Sequence, residues 1–105
     1  MFLRAALLTA VMAACTSASS TGIQAVSCPP DSSLTYANFG DELFANYCVS
    51  CHDTQSPVLT TQADIKAHAA AILDVAVYTD AMPQSDNMFL AEREKLGEWI
   101  ACGTP

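Results

Sequence analysis

Apolar residues recur at helical spacing in three segments of the chain, and no segment shows a convincing strand pattern. The first segment covers 39–47, and Asn38 with Asp41 predicts the cap at its N-terminus. In the second segment, Thr61 and Asp64 form the same kind of capping pattern. The apolar positions of these two segments are Phe39, Leu43, Phe44, Tyr47, Ile65, Ala69, Ile72 and Ala76. The chain is therefore predicted to be all-α, with three main helices.

The third segment lies near the C-terminus. It is expected to begin between 86 and 90 and to end at Gly103, since glycine is the preferred residue just after a helix. The residues that share or flank its apolar face are Phe89, Arg93, Leu96, Trp99 and Ile100. This segment therefore predicts an amphipathic helix that packs one face on the rest of the domain.

The N-terminus has the composition of a secretory signal rather than of a folded domain. Arg4 precedes an uncharged, mostly apolar run of ten residues, 5–14, which is too short to span a bilayer. Residues 12–15 resemble a bacterial lipobox, which predicts a lipid on Cys15 after removal of the signal. Ordinary cleavage nearby, which would discard Cys15, is the alternative. Both routes export the protein, and the first anchors it on the periplasmic side of a bacterial membrane.

The domain organisation follows from this signal. Residues 1–14 are the predicted signal peptide, and residues 15–27 are mostly small and polar, which predicts a flexible tether. The folded domain is then expected over 28–105. A domain of this size has a marginal core of its own and is expected to need a covalent or cofactor staple.

The chain is acidic, with a formal net charge of −7. Loss of Arg4 with the signal would leave three cationic side chains against eleven acidic ones. Nucleic-acid binding is not expected, because the sequence has no basic patch. An acidic surface attracts partners with basic docking surfaces, although the same charge also serves solubility alone.

Residues 48–52 form the pattern C-x-x-C-H, which is typical of covalent c-type haem attachment. Cys48 and Cys51 are spaced to reach two vinyl groups on one edge of the porphyrin, and His52 follows as an iron ligand. Zinc binding and thiol–disulfide exchange use the same cysteine spacing. A zinc site needs further ligands, whereas the only other histidine of the chain is His68. A thioredoxin-like domain needs strands beside the motif, so one covalent haem c is the favoured interpretation.

The five cysteines are an odd number for an exported protein. A lipid on Cys15 and haem on Cys48 and Cys51 would leave Cys28 and Cys102, one at each end of the domain. The oxidising compartment then predicts a disulfide between these two residues. Two free thiols, or a pair scrambled with the motif cysteines, are the alternatives.

The order of these features resembles the class I cytochrome c family, over about residues 36–103. A helix leads into C-x-x-C-H, and a loop, a second helix, a Met-Pro pair and a C-terminal helix with an aromatic residue follow. Gly40 and Phe44 resemble the glycine and the aromatic residue of the family's first helix, and Trp99 resembles the aromatic residue of its last helix. The resemblance implies a cytochrome c-like three-helix fold around one haem, in which the first and last helices cross at the glycine.

The same resemblance implies Met82 as the second iron ligand, opposite His52. Met88, His68 or an open site are the alternatives, and the thirty residues from His52 to Met82 are fewer than is usual in the family. The carbonyl of Pro57 is the candidate that holds the His52 ring through its other nitrogen.

The implied function is that of a monomeric electron carrier, and not of an enzyme, which passes electrons between redox partners. The segments 28–30 and 99–103 also resemble those of small exported bacterial c-type proteins. A haem-based sensor with a displaceable distal ligand and a thiol–disulfide oxidoreductase are the alternative functions. Trp99 is expected in the core at the helix crossing, whereas Arg93 is an open candidate for binding a haem propionate.

Overall fold

The computed structural model describes residues 18–84 and 88–105. Over these ranges the protein is all-α, as the sequence predicts, and its one β feature is an isolated bridge between Ser20 and Thr79. The α-helices are α1 (Asp41–Tyr47), α2 (Val49–His52), α3 (Gln62–Ala67), α4 (Ala69–Ile72) and α5 (Leu90–Ala101). The π-helical segments are Tyr36–Gly40, before α1, and Leu73–Val77, after α4. Together these elements make three helical stretches, the number that the apolar spacing predicts.

The first helical stretch begins three residues earlier than the sequence suggests. Thr35, and not Asn38, is the N-cap: its hydroxyl accepts from the Asn38 N–H at 3.1 Å, and the Asn38 side chain accepts from the Thr35 N–H at 2.7 Å. Both residue types cap helices well, so the local sequence does not choose between them. The N–H of Tyr36 donates to the Pro105 oxygen at 2.6 Å, so a distant part of the chain supports the earlier start.

The middle stretch begins at the predicted cap, where the Thr61 hydroxyl accepts from the Asp64 N–H at 3.1 Å. Its predicted apolar stripe faces the core, since Ile65 and Ile72 are buried. A break at His68, which lies between α3 and α4, interrupts this stretch. The break was not apparent in the apolar pattern, because the stripe continues through it.

The C-terminal helix α5 ends at the predicted glycine. Gly103 has φ +94°, its N–H donates to the Ile100 oxygen at 2.9 Å, and the Thr104 N–H donates to the Trp99 oxygen at 3.0 Å. This is the Schellman arrangement, which glycine adopts readily because it has no Cβ. The other end differs from the prediction. Phe89 is 72% exposed, because it precedes the helix as an extended N-cap residue instead of sharing its apolar face.

Trp99 is the centre of the core and has no exposed surface. The ring of Phe39 meets it edge-on at 6.0 Å, and the ring of Phe44 lies 6.2 Å away. A Cβ atom at Gly40 would stand 2.5 Å from two atoms of the Trp99 ring, so the missing side chain allows this close approach. The contact joins the two residues at which the family resemblance implies a helix crossing. The other buried apolar residues are Leu43, Leu59, Ile65, Ile72, Ala76, Val77, Met88, Leu96 and Ile100.

The segment 18–27 lies against the domain, although the sequence predicts a tether over 15–27 and a domain that starts at 28. The Asp80 N–H donates to the Ser19 oxygen at 3.0 Å, and the Ser19 N–H donates to the Asp80 carboxylate at 2.7 Å. The side chain of Val26 packs over Gly97 of α5. Hydrogen bonds of the polar residues, together with the apolar contact of Val26, therefore hold this segment on the domain. The predicted signal peptide and Cys15 lie outside the described residues.

A disulfide joins Cys28 to Cys102, the pairing that the cysteine count predicts. Its S–S distance is 1.91 Å and its Cα–Cα distance is 4.7 Å. It connects the end of the N-terminal segment to the C-cap residue of α5. None of the helices in the described ranges has the length and apolar character to cross a membrane.

Candidate functional site

The C-x-x-C-H motif occupies the junction between α1 and α2. Cys48 ends α1 with non-helical backbone angles (φ −125°, ψ −45°), and the rest of the motif forms the single turn of α2. The His52 N–H donates to the Cys48 oxygen at 2.9 Å, which brings the first and last residues of the motif together. Both thiols are free: Cys48 is half-buried and Cys51 is exposed. The motif is therefore a compact turn with two unpaired thiols on it.

A cavity of about 330 Å³ lies beside this turn and is lined mainly by apolar side chains. Cys48, Cys51 and His52 line one part of it, and Met82 and His68 also line it. The apolar lining residues are Phe44, Tyr47, Pro57, Leu59, Ala71, Ile72, Val75, Ala76, Pro83 and Leu96. The structure thus brings together the four residues that the sequence singled out for haem, although His52 and Met82 are thirty residues apart.

The His52 ring is held in place through its Nδ1 atom. The Nδ1–H group donates to the Pro57 oxygen at 2.8 Å, and the Gln55 oxygen lies 3.3 Å from the same nitrogen. Pro57 is the residue that the sequence suggested for this bond. The loop is closed by the Leu59 N–H, which donates to the His52 oxygen at 2.9 Å. This tautomer leaves the Nε2 lone pair of His52 for a metal, an arrangement typical of histidine ligands.

The two candidate methionines occupy different environments. Met82 is half-buried and lines the cavity, and its N–H donates to the Val75 oxygen at 2.8 Å. Met88 is only 4% exposed, belongs to the core cluster and is not part of the cavity lining. Of the two, Met82 is therefore the one with access to the cavity.

His68 also reaches the cavity. Its Nδ1–H donates to the Asp64 oxygen at 2.8 Å, which leaves Nε2 as the free lone pair. The break between α3 and α4 gives His68 its position, because the residue has left the regular helical path. His68 and Met82 thus both line the cavity.

Burial raises the pKa of the Cys48 thiol to about 11. Cysteines that carry out thiol–disulfide exchange have the opposite property, since a positive environment lowers their pKa and yields thiolate at neutral pH. The environment of Cys48 is apolar, and a thiol with this pKa is protonated at neutral pH. The raised pKa of Cys48 therefore does not favour thiol–disulfide exchange at the motif.

Arg93 does not line the cavity, which differs from its suggested role as a propionate partner. Its side chain is 4% exposed and donates to main-chain carbonyls of the segment that leads to Met82. One signal in the sequence pointed to this burial, an arginine on the apolar face of α5. It gave no indication of which acceptors the guanidinium would meet.

Within the described ranges, no group of three or more His, Cys, Asp or Glu side chains is arranged to hold a metal ion. The chain matches no protein-family profile. It also matches no curated protein. No solved structure matches its fold.

Proposed function

We propose that the protein is a single-haem c-type cytochrome that carries electrons between redox partners. Cys48 and Cys51 would hold the haem covalently, His52 would be one iron ligand and Met82 the other. The observation that carries the proposal is the shared cavity: both thiols, the oriented imidazole and the thioether line the same apolar space. When bound, the haem supplies an iron that alternates between the ferric and ferrous states.

The residues around the cavity fit such a group. The thiols are free and reduced, and the Pro57 carbonyl fixes the His52 ring with Nε2 unprotonated. Leu59, Ile72 and other apolar side chains line the cavity. Apolar surroundings together with a His/Met ligand pair favour the ferrous state and a higher reduction potential. Cys51 is exposed, so this edge of the site faces the surface, where partners dock.

Membership in the class I cytochrome c family is part of this proposal. It is supported by the three helical stretches, by the motif at the end of the first stretch and by the close contact of Gly40 with Trp99. The proposed cellular setting is the exported face of a bacterial membrane, with a lipid on Cys15. An acidic chain of net charge −7 suits small, transient contacts with partners that have basic docking surfaces.

Covalent haem is the first expected result. The exported protein, made in cells with the c-type haem-attachment machinery, is expected to carry one haem that survives acid–acetone extraction and gives the pyridine haemochrome spectrum of two thioether bonds. The double variant C48A/C51A is the control and is expected to retain no covalent haem. Export of the wild-type protein without covalent haem would contradict the proposal and favour the thiol–disulfide oxidoreductase.

The second candidate function is a haem-based sensor, and the presence of a second potential ligand, His68, in the cavity favours it. A sensor binds an external ligand when its distal ligand is displaced, whereas a carrier stays six-coordinate in both oxidation states. The two functions therefore differ in the strength of the Met82 bond to iron.

For the carrier, the native ferrous protein is expected not to bind carbon monoxide, and the ferric protein is expected to show the weak long-wavelength charge-transfer band of thioether ligation. Met82→Ala should lose the band and bind carbon monoxide readily, because the alanine provides no ligand. Met88→Leu is the matched control, a core methionine whose replacement should change neither property. Ready binding of carbon monoxide by the wild-type ferrous protein would favour the sensor.

A further inference from the structure

We infer that Arg93 is a positioning residue for the distal ligand: from the core of the domain, it fixes the main chain at Met82 and so the place of the thioether in the cavity. The inference rests on the proposed function, because it assigns Arg93 a role toward the sulfur–iron bond. Arg93 itself does not line the cavity and so acts through the protein chain.

Arg93 is only 4% exposed, and all its hydrogen-bond acceptors are main-chain oxygens. Its Nη1 donates to the Ala76 oxygen at 2.7 Å and to the Met82 oxygen at 2.8 Å, with the Thr79 oxygen farther away at 3.4 Å. Its Nε donates to the Met88 oxygen at 3.2 Å. A buried guanidinium needs such acceptors, and bonds to a charged group are stronger than neutral ones. The Arg93 side chain therefore links α5 to the π-helical segment Leu73–Val77, through Ala76, and to the irregular chain after that segment, through Met82.

Met82 is held on both sides of its Cα atom. Its N–H donates to the Val75 oxygen at 2.8 Å, and its C=O accepts from Arg93 at 2.8 Å. The next residue is Pro83, which fixes a further backbone angle. With both peptide groups fixed, only rotations within its side chain can move the sulfur atom. This is the property that a lasting thioether ligand requires, since the Met–iron bond is weak and a mobile loop would release it.

Residues 78–80, just before Met82, are bonded to the N-terminal segment. The Thr21 N–H donates to the Tyr78 oxygen at 3.0 Å, and Ser19 bonds to Asp80. These bonds end two residues before Met82, so they do not constrain the Met82 peptide groups themselves. Arg93 is the side chain with a direct bond to the ligand residue.

The test compares holoprotein variants by the long-wavelength band of the ferric form, by carbon monoxide binding to the ferrous form and by the reduction potential. Arg93→Met keeps the length and removes every donor. It is expected to retain covalent haem, but to raise the fraction of displaced thioether at least about tenfold, with carbon monoxide binding increased to match. The reduction potential should fall. Arg93→Lys keeps the charge and some of the donors, and is expected to be intermediate and to fold even if Arg93→Met does not.

Two control variants separate positioning from general stability. Ile65→Ala truncates a buried core residue that does not line the cavity, so it destabilises the fold and should leave the band and the carbon monoxide response unchanged. Lys95→Met removes a positive charge from an exposed site on α5 and should also change neither. Equal loss of the band in Ile65→Ala and Arg93→Met would overturn the inference, as would unchanged ligation in Arg93→Met.

The outcome also distinguishes this inference from the proposed function. Wild-type protein with covalent haem and the thioether band, but with a band that is insensitive to Arg93, leaves the carrier intact and removes only the role of Arg93. Wild-type protein without covalent haem removes both.

Discussion

Loss of the Cys28–Cys102 disulfide is expected to lower the free energy of unfolding by about 4 kcal/mol, since the bridge closes a long loop. The two cysteines are 74 residues apart, so the bond removes much of the conformational freedom of the unfolded chain. It also joins the N-terminal segment to the C-cap of α5, where both ends of the domain meet. Little packing is lost with it, because Cys28 is exposed and Cys102 is half-buried.

The measurement is guanidinium denaturation of the ferric holoprotein, followed by helical circular dichroism, for C28S/C102S and wild type. Wild type reduced at this bond should match the double variant, because both lack only the cross-link. Ser27→Ala changes an exposed neighbour of Cys28 and serves as the control with no expected effect. A loss below about 1 kcal/mol would mean that the bridge does not constrain the unfolded chain as loop entropy requires.

Gly40→Val is expected to lower the free energy of unfolding by about 3 kcal/mol through overpacking. Any Cβ at this position would stand 2.5 Å from two atoms of the Trp99 ring. The ring has no room to move, because it is fully buried between Phe39 and Phe44 and its Nε1–H donates to the Pro105 oxygen at 3.1 Å. The first and last helical stretches would therefore have to separate.

Gly97→Ala is the matched comparison, because its Cβ would also meet a neighbouring atom, the Cγ1 of Val26, at 2.5 Å. Val26 is half-buried on the N-terminal segment and can shift where the Trp99 ring cannot, and the next contact, the Cγ1 of Val77, is longer at 3.1 Å. Alanine also gains about 1 kcal/mol of helix propensity over glycine at either helical site. Gly40→Ala is therefore expected to cost more than Gly97→Ala in thermal and guanidinium denaturation. A larger cost for Gly97→Ala than for Gly40→Ala would show that the first and last helical stretches can move apart to accept a side chain at position 40.

Apart from the Cys28–Cys102 pairing, the structural features that the sequence predicted correctly are local ones. The Thr61 cap, the Gly103 terminus and the apolar stripe through Ile65 and Ile72 each depend on residues within a few positions of one another. Hydrogen bonds and side-chain spacing at that range are determined by the helix itself. The predicted cap at Asn38 was wrong, because Thr35, three positions earlier, is an equally good capping residue. Only a contact with the distant Pro105 accompanies the earlier start.

The candidate site also has local features that the sequence predicted and long-range features that it did not. The motif 48–52 and the bond from His52 to Pro57 lie within ten residues, and the sequence suggested both. The cavity could not be predicted, because its lining combines residues that are far apart in the chain, from Phe44 and the motif through His68 and Met82 to Leu96. The acceptors of Arg93 could not be predicted either. They lie 5 to 17 residues away, on a part of the chain whose path depends on tertiary packing.

The sequence by itself determined the all-α class and the haem-type motif, and it predicted the Cys28–Cys102 pairing once Cys48, Cys51 and Cys15 were assigned to haem and lipid. These follow from residue identity and spacing, which need no knowledge of the path of the chain. Only the tertiary structure decided that 18–27 packs on the domain, that Met82 rather than Met88 reaches the cavity, and that Arg93 supports the Met82 loop from within the core. Such contacts depend on which surfaces the folded chain buries together, and many alternative pairings are compatible with the same local pattern.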